Sequence, residues 1–167
     1  MKLAYALLLS LLTLSLAANA GDFKLELGDS APPFLGKTPA GEKIDLTNFA
    51  EKLVVVSFWA TWCEPCLEEL PILENLQNRL GHETIEVVAV NFKEDARRFK
   101  KISKKLNTYS LTLTHDRRGA ISNKYGVKAI PHLFLIGKTG KIVYQQLGYE
   151  KGNVDGLVAA LNEQLAN

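Results

Sequence analysis

One stretch constrains the fold of this chain more than any other. Leu53 to Phe58 is an apolar run rich in valine, typical of a strand buried on both faces of a parallel sheet. A helical pattern of leucines begins near Cys63 and continues to Leu80, where Gly81 can end the helix. Both cysteines of the chain, Cys63 and Cys66, lie at this junction. The stretch therefore predicts a strand that passes directly into a helix, with two thiols at the turn.

The segments around this unit predict an α/β fold with a central mixed β-sheet flanked by helices. Pro71 lies inside the first helix, where it should kink the helix or divide it into two pieces, and we expect the kink. The other expected elements are a hairpin of Phe34–Leu35 and Lys43–Leu46, strands over Thr84–Asn91, Leu111–Thr114, His132–Ile136 and Lys141–Leu147, and helices over Glu94–Leu106, Ala120–Tyr125 and Val154–Leu165.

The first twenty residues have the features of an export signal. Lys2 gives a positive start, Leu3 to Leu16 is apolar, and Ala18-Asn19-Ala20 is a small-x-small cleavage site. The apolar run is shorter than the roughly 20 residues that span a bilayer, so we expect cleavage before Gly21 and no stable membrane anchor. The mature domain would be residues 21–167, with residues 21–50 as an N-terminal extension that carries the hairpin.

Composition is that of one globular domain with an unremarkable overall charge. The chain has 167 residues, 47% apolar and 23% charged, with a net charge of +2. This balance does not indicate binding to nucleic acid. The helix over residues 94–106 nevertheless has a strongly basic outer face, which is either solvated or directed at an acidic partner or an anionic membrane.

The two cysteines are spaced for exchange chemistry. In an oxidising compartment they can pair only with each other or with a partner protein, and a lone C-x-x-C indicates exchange more than structural support. A helix N-terminus favours the thiolate of Cys63, so Cys63 is the expected attacking residue and Cys66 the resolving one. A zinc site is disfavoured because His82, His115 and His132 form no pair, and a purely structural disulfide would close a very short loop. No cofactor motif is visible.

Three segments together resemble the thioredoxin superfamily, and within it the exported TlpA/ResA/CcmG-type thiol–disulfide oxidoreductases. The segments are Val54–Cys66 followed by Glu69 and Pro71, then Val88–Asn91, and last Tyr125–Ile136. The resemblance extends from about Pro33 to the C-terminus. It implies a thioredoxin fold and a redox-active Cys63–Cys66 disulfide.

The resemblance also assigns residues around the cysteines. Pro131 matches the proline that follows a cis peptide, here after Ile130, and that lets a substrate chain pair with the nearby backbone. Trp62 and Trp59 match aromatic residues beside and beneath the site, although Trp59 equally fits simple core packing. Substrate binding is therefore expected at Trp62, Ile130 and Pro131.

Proton handling is expected to differ from that of thioredoxin itself. Ser57 stands where thioredoxin has a buried aspartate, and Glu69 matches the glutamate of ResA-like proteins, so Glu69 is the expected general acid and base for Cys66. The alternative for Glu69 is a surface carboxylate. Glu64, followed by Pro65 between the cysteines, opposes thiolate formation, whereas a protonated His132 would favour it unless its ring packs elsewhere.

These residues lead to three hypotheses about function. The first is a periplasmic reductase of disulfides in exported proteins, re-reduced by a membrane electron donor, with apocytochrome c as the substrate that the resemblance suggests. The second is an oxidase that inserts disulfides, against which the Glu64-Pro65 dipeptide and the absence of a large inserted domain both argue. The third is a redox-sensitive binding module whose cysteines do not turn over.

Overall fold

The computed structural model describes residues 25–150 and 154–166. The predicted export signal and its cleavage site lie outside these residues. The described chain forms seven strands and four helices in this order: β1 Phe34–Lys37, β2 Lys43–Asp45, β3 Leu53–Trp59, α1 Glu64–Leu80, β4 Ile85–Phe92, α2 Ala96–Lys105, β5 Thr112–Asp116, α3 Ala120–Lys124, β6 His132–Ile136, β7 Ile142–Leu147 and α4 Val154–Ala166.

The strands form one mixed sheet in the order β2-β1-β5-β4-β3-β6-β7. Strand β3 is an interior strand, parallel to β4 and antiparallel to β6, while β4 and β5 are also parallel. Because parallel strands end at the same edge, the segments that follow β3, β4 and β5 meet at one side of the molecule. The cysteines lie in the first of these segments.

Alternation along β3 divides the core into two layers. Val55 and Trp59 contribute to the layer that contains both cysteines and residues of α1, α2 and α4. Val54 and Phe58 contribute to the other layer, which contains α3 and the N-terminal segment. Every residue of β3 is buried, as the valine-rich run predicts for a strand covered on both faces.

Most of the helices and strands expected from the sequence are present, and several begin or end at residues other than those expected. Helix α1 is one continuous helix that includes Pro71, so the two-piece alternative is wrong. Helix α2 begins two residues later than expected because the Asp95 side chain caps it by accepting hydrogen bonds from Arg97 N and Arg98 N. Glu94 is thereby excluded from the helix. Strand β5 continues through His115 and Asp116, which the sequence pattern had placed in a loop.

The N-terminal hairpin is part of the same sheet. Strand β1 pairs with β2 and also with β5, where Lys37 is opposite His115. The Thr114 hydroxyl donates to the carbonyl of Leu35 at 2.6 Å. A short 3-10 turn over Leu46–Phe49, which the sequence did not indicate, follows β2. In the part of the chain that the structure describes, no helix is long and apolar enough to cross a membrane.

Candidate active site

Cys63 and Cys66 form a disulfide at the N-terminus of α1. Cys63 is the N-cap residue, and its sulfur accepts the backbone N–H of Cys66 at 3.3 Å. Cys63 retains 5% of its surface exposed, whereas Cys66 is fully buried. A helix N-terminus and a neighbouring N–H both stabilise a thiolate, so the geometry fits attack by Cys63 and resolution by Cys66.

Glu69 lies on the same face of α1, three residues after Cys66, and it is buried. Its side chain is 3% exposed, so the surface-carboxylate alternative is wrong. Ser57 of β3 donates a hydrogen bond of 2.7 Å to Glu69 Oε2, because the alternation of β3 directs Ser57 to the α1 side. Burial raises the pKa of Glu69 to about 7, although the Ser57 hydrogen bond opposes this rise. A carboxyl group with this pKa can exchange a proton at neutral pH.

The expected substrate-binding residues differ in exposure and in backbone geometry. Trp62 is 61% exposed immediately before Cys63, whereas Trp59 is completely buried in the core. The Ile130–Pro131 peptide is cis, the geometry that the resemblance implies. Pro131 directly precedes β6, whose first residue, His132, pairs with Phe58 of the strand that leads to the cysteines.

The residues expected to modulate the thiols differ in their surroundings. Glu64 and Pro65 are exposed in the first turn of α1. His132 stacks on Phe134, with ring centroids 4.4 Å apart, and Phe134 belongs to the core layer opposite the cysteines. The ring therefore packs on a neighbouring side chain, and a role of His132 beside the thiolate stays a prediction.

A buried carboxylate that the sequence did not single out supports the loop before Cys63. Glu94 is 5% exposed and accepts hydrogen bonds from Thr61 N at 2.8 Å, from the Thr61 hydroxyl and from Asn91 Nδ2 at 2.7 Å. The only available signal was the Asp95 cap, which places Glu94 before α2 rather than in it. Glu94 thus joins the end of β4 to the turn that presents Trp62 and Cys63.

An apolar cavity of about 360 Å³ adjoins Glu69 on the α1 side of the sheet. Its walls come mainly from α1, β6, β7 and α4, and they include Ile72, Leu76, Leu133 and Val158. Within the described residues the cavity gives the buried carboxyl group a largely apolar neighbourhood. The raised pKa of Glu69 comes from the burial of its carboxyl group, which disfavours the charged form.

Fold and site together define a thioredoxin-fold protein with a dithiol–disulfide centre. Residues 26–161 match the family described as Redoxin, and the chain belongs to that family. It is 34% identical to thiol-disulfide oxidoreductase ResA of Bacillus thuringiensis subsp. konkukian over 75% of this chain and 72% of that protein. It is 37% identical to thioredoxin-like protein YneN of Bacillus subtilis over 71% and 69%.

A solved structure of a protein with a related name also matches this chain. A putative thiol:disulfide interchange protein DsbE from Chlorobium tepidum is 30% identical and matches with a TM-score of 0.72, over 83% of this chain and 99% of that one. The resemblance drawn from the sequence is thereby confirmed, as is the thioredoxin fold. The protein is a thiol–disulfide oxidoreductase.

Proposed function

We propose that the protein reduces disulfides in exported proteins, with apocytochrome c as its substrate, in the periplasm. The observation that carries the proposal is the buried Glu69, which lies one helical turn after Cys66, accepts a hydrogen bond from Ser57 and can take up the proton that Cys66 loses. The relatives named as thiol–disulfide oxidoreductases support the reaction class. Export rests on the leader over residues 1–20, and we propose a membrane protein as the electron donor.

The reaction begins with both cysteines reduced. The Cys63 thiolate attacks a substrate disulfide, forms a mixed disulfide and displaces one substrate sulfur as a thiolate, which takes up a proton from water. Cys66 transfers its proton to the Glu69 carboxylate and then attacks the Cys63 sulfur. The second substrate sulfur leaves and is protonated. The substrate has gained two electrons and two protons, and the Cys63–Cys66 disulfide has formed.

Trp62 and the backbone around Ile130 and Pro131 hold the substrate during these steps. Trp62 presents an exposed apolar face directly before the attacking sulfur. The cis-proline segment begins the strand beside β3, close to the edge where the cysteines lie. A substrate chain that pairs there would place its disulfide near Cys63.

Trapping of the mixed disulfide tests this proposal. Cys66→Ala cannot resolve the intermediate, so it should accumulate dithiothreitol-sensitive adducts with exported proteins, and mass spectrometry should identify cytochrome c precursors among them. The double variant Cys63→Ala/Cys66→Ala is the matched control and should form none. Equal adduct patterns for the two variants would contradict attack by Cys63.

Reduction potential decides the direction of the reaction. We expect the reduction potential of the Cys63–Cys66 pair to lie well below that of the strong oxidant DsbA, which is about −120 mV. A value close to that of DsbA would instead indicate an oxidase.

N-terminal sequencing of the protein recovered from the periplasm should give Gly21 as the first residue.

A further inference from the structure

The outer face of α2 carries an unusual density of positive charge. The basic face consists of Arg97, Arg98, Lys100, Lys101, Lys104 and Lys105, all of them exposed. At a helical period of about 100° per residue they occupy an arc of about 160°. Phe99 and Ile102 lie on the other side of the helix and pack against the core. The basic face is thus a continuous surface.

Few salt bridges neutralise the basic face within the described residues. Arg98 Nη1 lies 3.8 Å from Glu94 Oε1, and within the described residues no other member of the basic face forms a salt bridge. Helix α2 holds six of the chain's twenty lysines and arginines and no acidic residue. Because the whole chain has a net charge of only +2, the rest of it is net acidic, at −4. The charge is therefore polarised toward one face.

The basic face borders the active-site loop. A cavity of about 220 Å³ is lined by Thr61 together with Arg98, Lys101, Ile102 and Lys105. Thr61 is two residues before Cys63, and Glu94 links it to the start of α2. A partner whose sulfur reaches Cys63 therefore passes close to these cations.

The same edge of the sheet carries further positive charge. Lys93 follows β4, and Arg117 and Arg118 follow β5, and all three are exposed. Since β3, β4 and β5 are parallel, these residues lie at the edge where β3 gives way to the cysteines. The positive field thus extends from α2 along the side of the molecule that contains the disulfide.

We propose that the basic face docks an acidic protein partner whose disulfide or dithiol exchanges with Cys63. This inference rests on the proposed thiol–disulfide exchange and names the surface chemistry of the partner. Opposite charge steers encounter and orients the two proteins, which raises the association rate more than it strengthens the complex. A protein fits better than a bilayer because Cys63 is only 5% exposed, and a lipid surface against Thr61 would restrict access to it.

Exchange with two peptide disulfides of opposite charge tests this surface. The probes are synthetic peptides with the same internal disulfide, flanked by glutamates in one and by lysines in the other. The reduced full-length protein should react with the acidic peptide about tenfold faster in about 0.01 M salt. This preference should vanish in about 1 M salt, because the Debye length falls from about 30 Å to about 3 Å.

A pair of charge reversals locates the effect. Lys101→Glu should measurably reduce the preference for the acidic peptide, because it replaces a cation that lines the cavity beside Thr61 with an anion. Lys138→Glu should retain it, because Lys138 is exposed in the β6–β7 turn, at the end of the sheet away from the cysteines. Both substitutions change the net charge equally, so different results assign the effect to the basic face. Equal losses in the two variants would overturn the assignment.

The remaining outcomes separate this inference from the proposed function. Equal rates for both peptides at every salt concentration would overturn the docking surface while leaving exchange by Cys63 intact. No exchange with either peptide would contradict the proposed reaction itself, and the docking surface with it. A third outcome would identify a lipid surface instead of a protein partner. In that case the protein would sediment with vesicles of equal parts phosphatidylcholine and phosphatidylglycerol, Lys101→Glu would not, and neither peptide would be preferred.

Discussion

Two opposing effects set the pKa of the Glu69 carboxyl group. Burial among apolar side chains raises its pKa to about 7, and the Ser57 hydroxyl limits the rise by donating to the carboxylate. The group is therefore partly protonated at neutral pH. In the proposed reaction it accepts a proton from Cys66 during substrate reduction and returns it when the disulfide is reduced again.

Glu69→Gln should remove this exchange of protons. The wild-type resolving step should accelerate as pH rises through about 7, because the carboxylate is the base. The variant should lose this inflection and be slower by about 100-fold at neutral pH. Stopped-flow measurement of thiol release across a pH series checks both expectations. Glu68→Gln, at an exposed position beside it, should keep the wild-type profile.

The same variant gives a second measurement, of stability. The folded pKa of Glu69 lies above its value of 4.5 in the unfolded chain, so the protonated form stabilises the fold. This contribution is complete below pH 4.5 and is lost as pH rises through about 7, by roughly 3 kcal/mol in total. The free energy of unfolding of Glu69→Gln should lack that decline. An unchanged pH dependence would contradict the raised pKa.

Ser57 and Glu69 also show how far sequence reasoning reaches at this scale. The resemblance pointed to both residues, and a helical separation of three placed Glu69 one turn from Cys66. The hydrogen bond between them was not predicted, because it depends on how α1 crosses the sheet. For His132 the sequence left two alternatives. Alternation along β6 places its ring on the same face as Phe134, with which it stacks, and a role beside the thiolate stays a prediction.

At the scale of elements, the loop before α1 depends on the loop before α2. Glu94 accepts two hydrogen bonds from Thr61 and one from Asn91, so one carboxylate fixes the turn that presents Cys63. Sequence reasoning missed this link because it placed Glu94 inside α2. The helical pattern of residues 94–106 does not reveal which acidic residue is the cap. That choice is set by the contacts of Asp95 with Arg97 N and Arg98 N.

Glu94→Ala should loosen the active-site loop. It would leave the Thr61 N–H and hydroxyl and the Asn91 amide without their acceptor, which should lower the free energy of unfolding by about 2 kcal/mol or more. Hydrogen exchange at the Thr61 amide should become faster, and thiol exchange slower. Asp95→Ala is the control, because it removes the α2 cap and leaves the contacts of Glu94 in place. Unchanged exchange at Thr61 in Glu94→Ala would contradict this role.

At the scale of the whole molecule, the sheet places the reactive segments together. The valine-rich strand, the helix after it and the mixed sheet were predictable because periodicity and burial are local properties of the sequence. The attachment of the N-terminal hairpin to the sheet was not predictable, because the pairing of Lys37 with His115 joins residues far apart in the chain. The prediction of a short β5 ending at Thr114 also concealed this contact.

The hairpin is expected to be an integral part of the domain, and one glycine tests that expectation. Gly36 of β1 has a φ of 114°, and a Cβ there would lie 3.0 Å from Thr114 Cβ and 3.2 Å from Ile121 Cδ1. Gly41 has a similar φ of 92° and nothing within 4 Å of such a Cβ. Both alanine substitutions strain the backbone, but only Gly36→Ala also crowds the contact between β1, β5 and α3.

Gly36→Ala should therefore destabilise the whole protein more than Gly41→Ala does. We expect a difference of about 1 kcal/mol or more in the free energy of unfolding, measured by denaturant titration, with a single transition retained. The crowded Ile121 side chain belongs to the core layer that also holds Phe58 of β3, so crowding there affects the shared core. Equal effects of the two substitutions would mean that the hairpin can separate from β5 without unfolding the remainder. The extension would then be an appendage and not a structural part of the sheet that supports the cysteines.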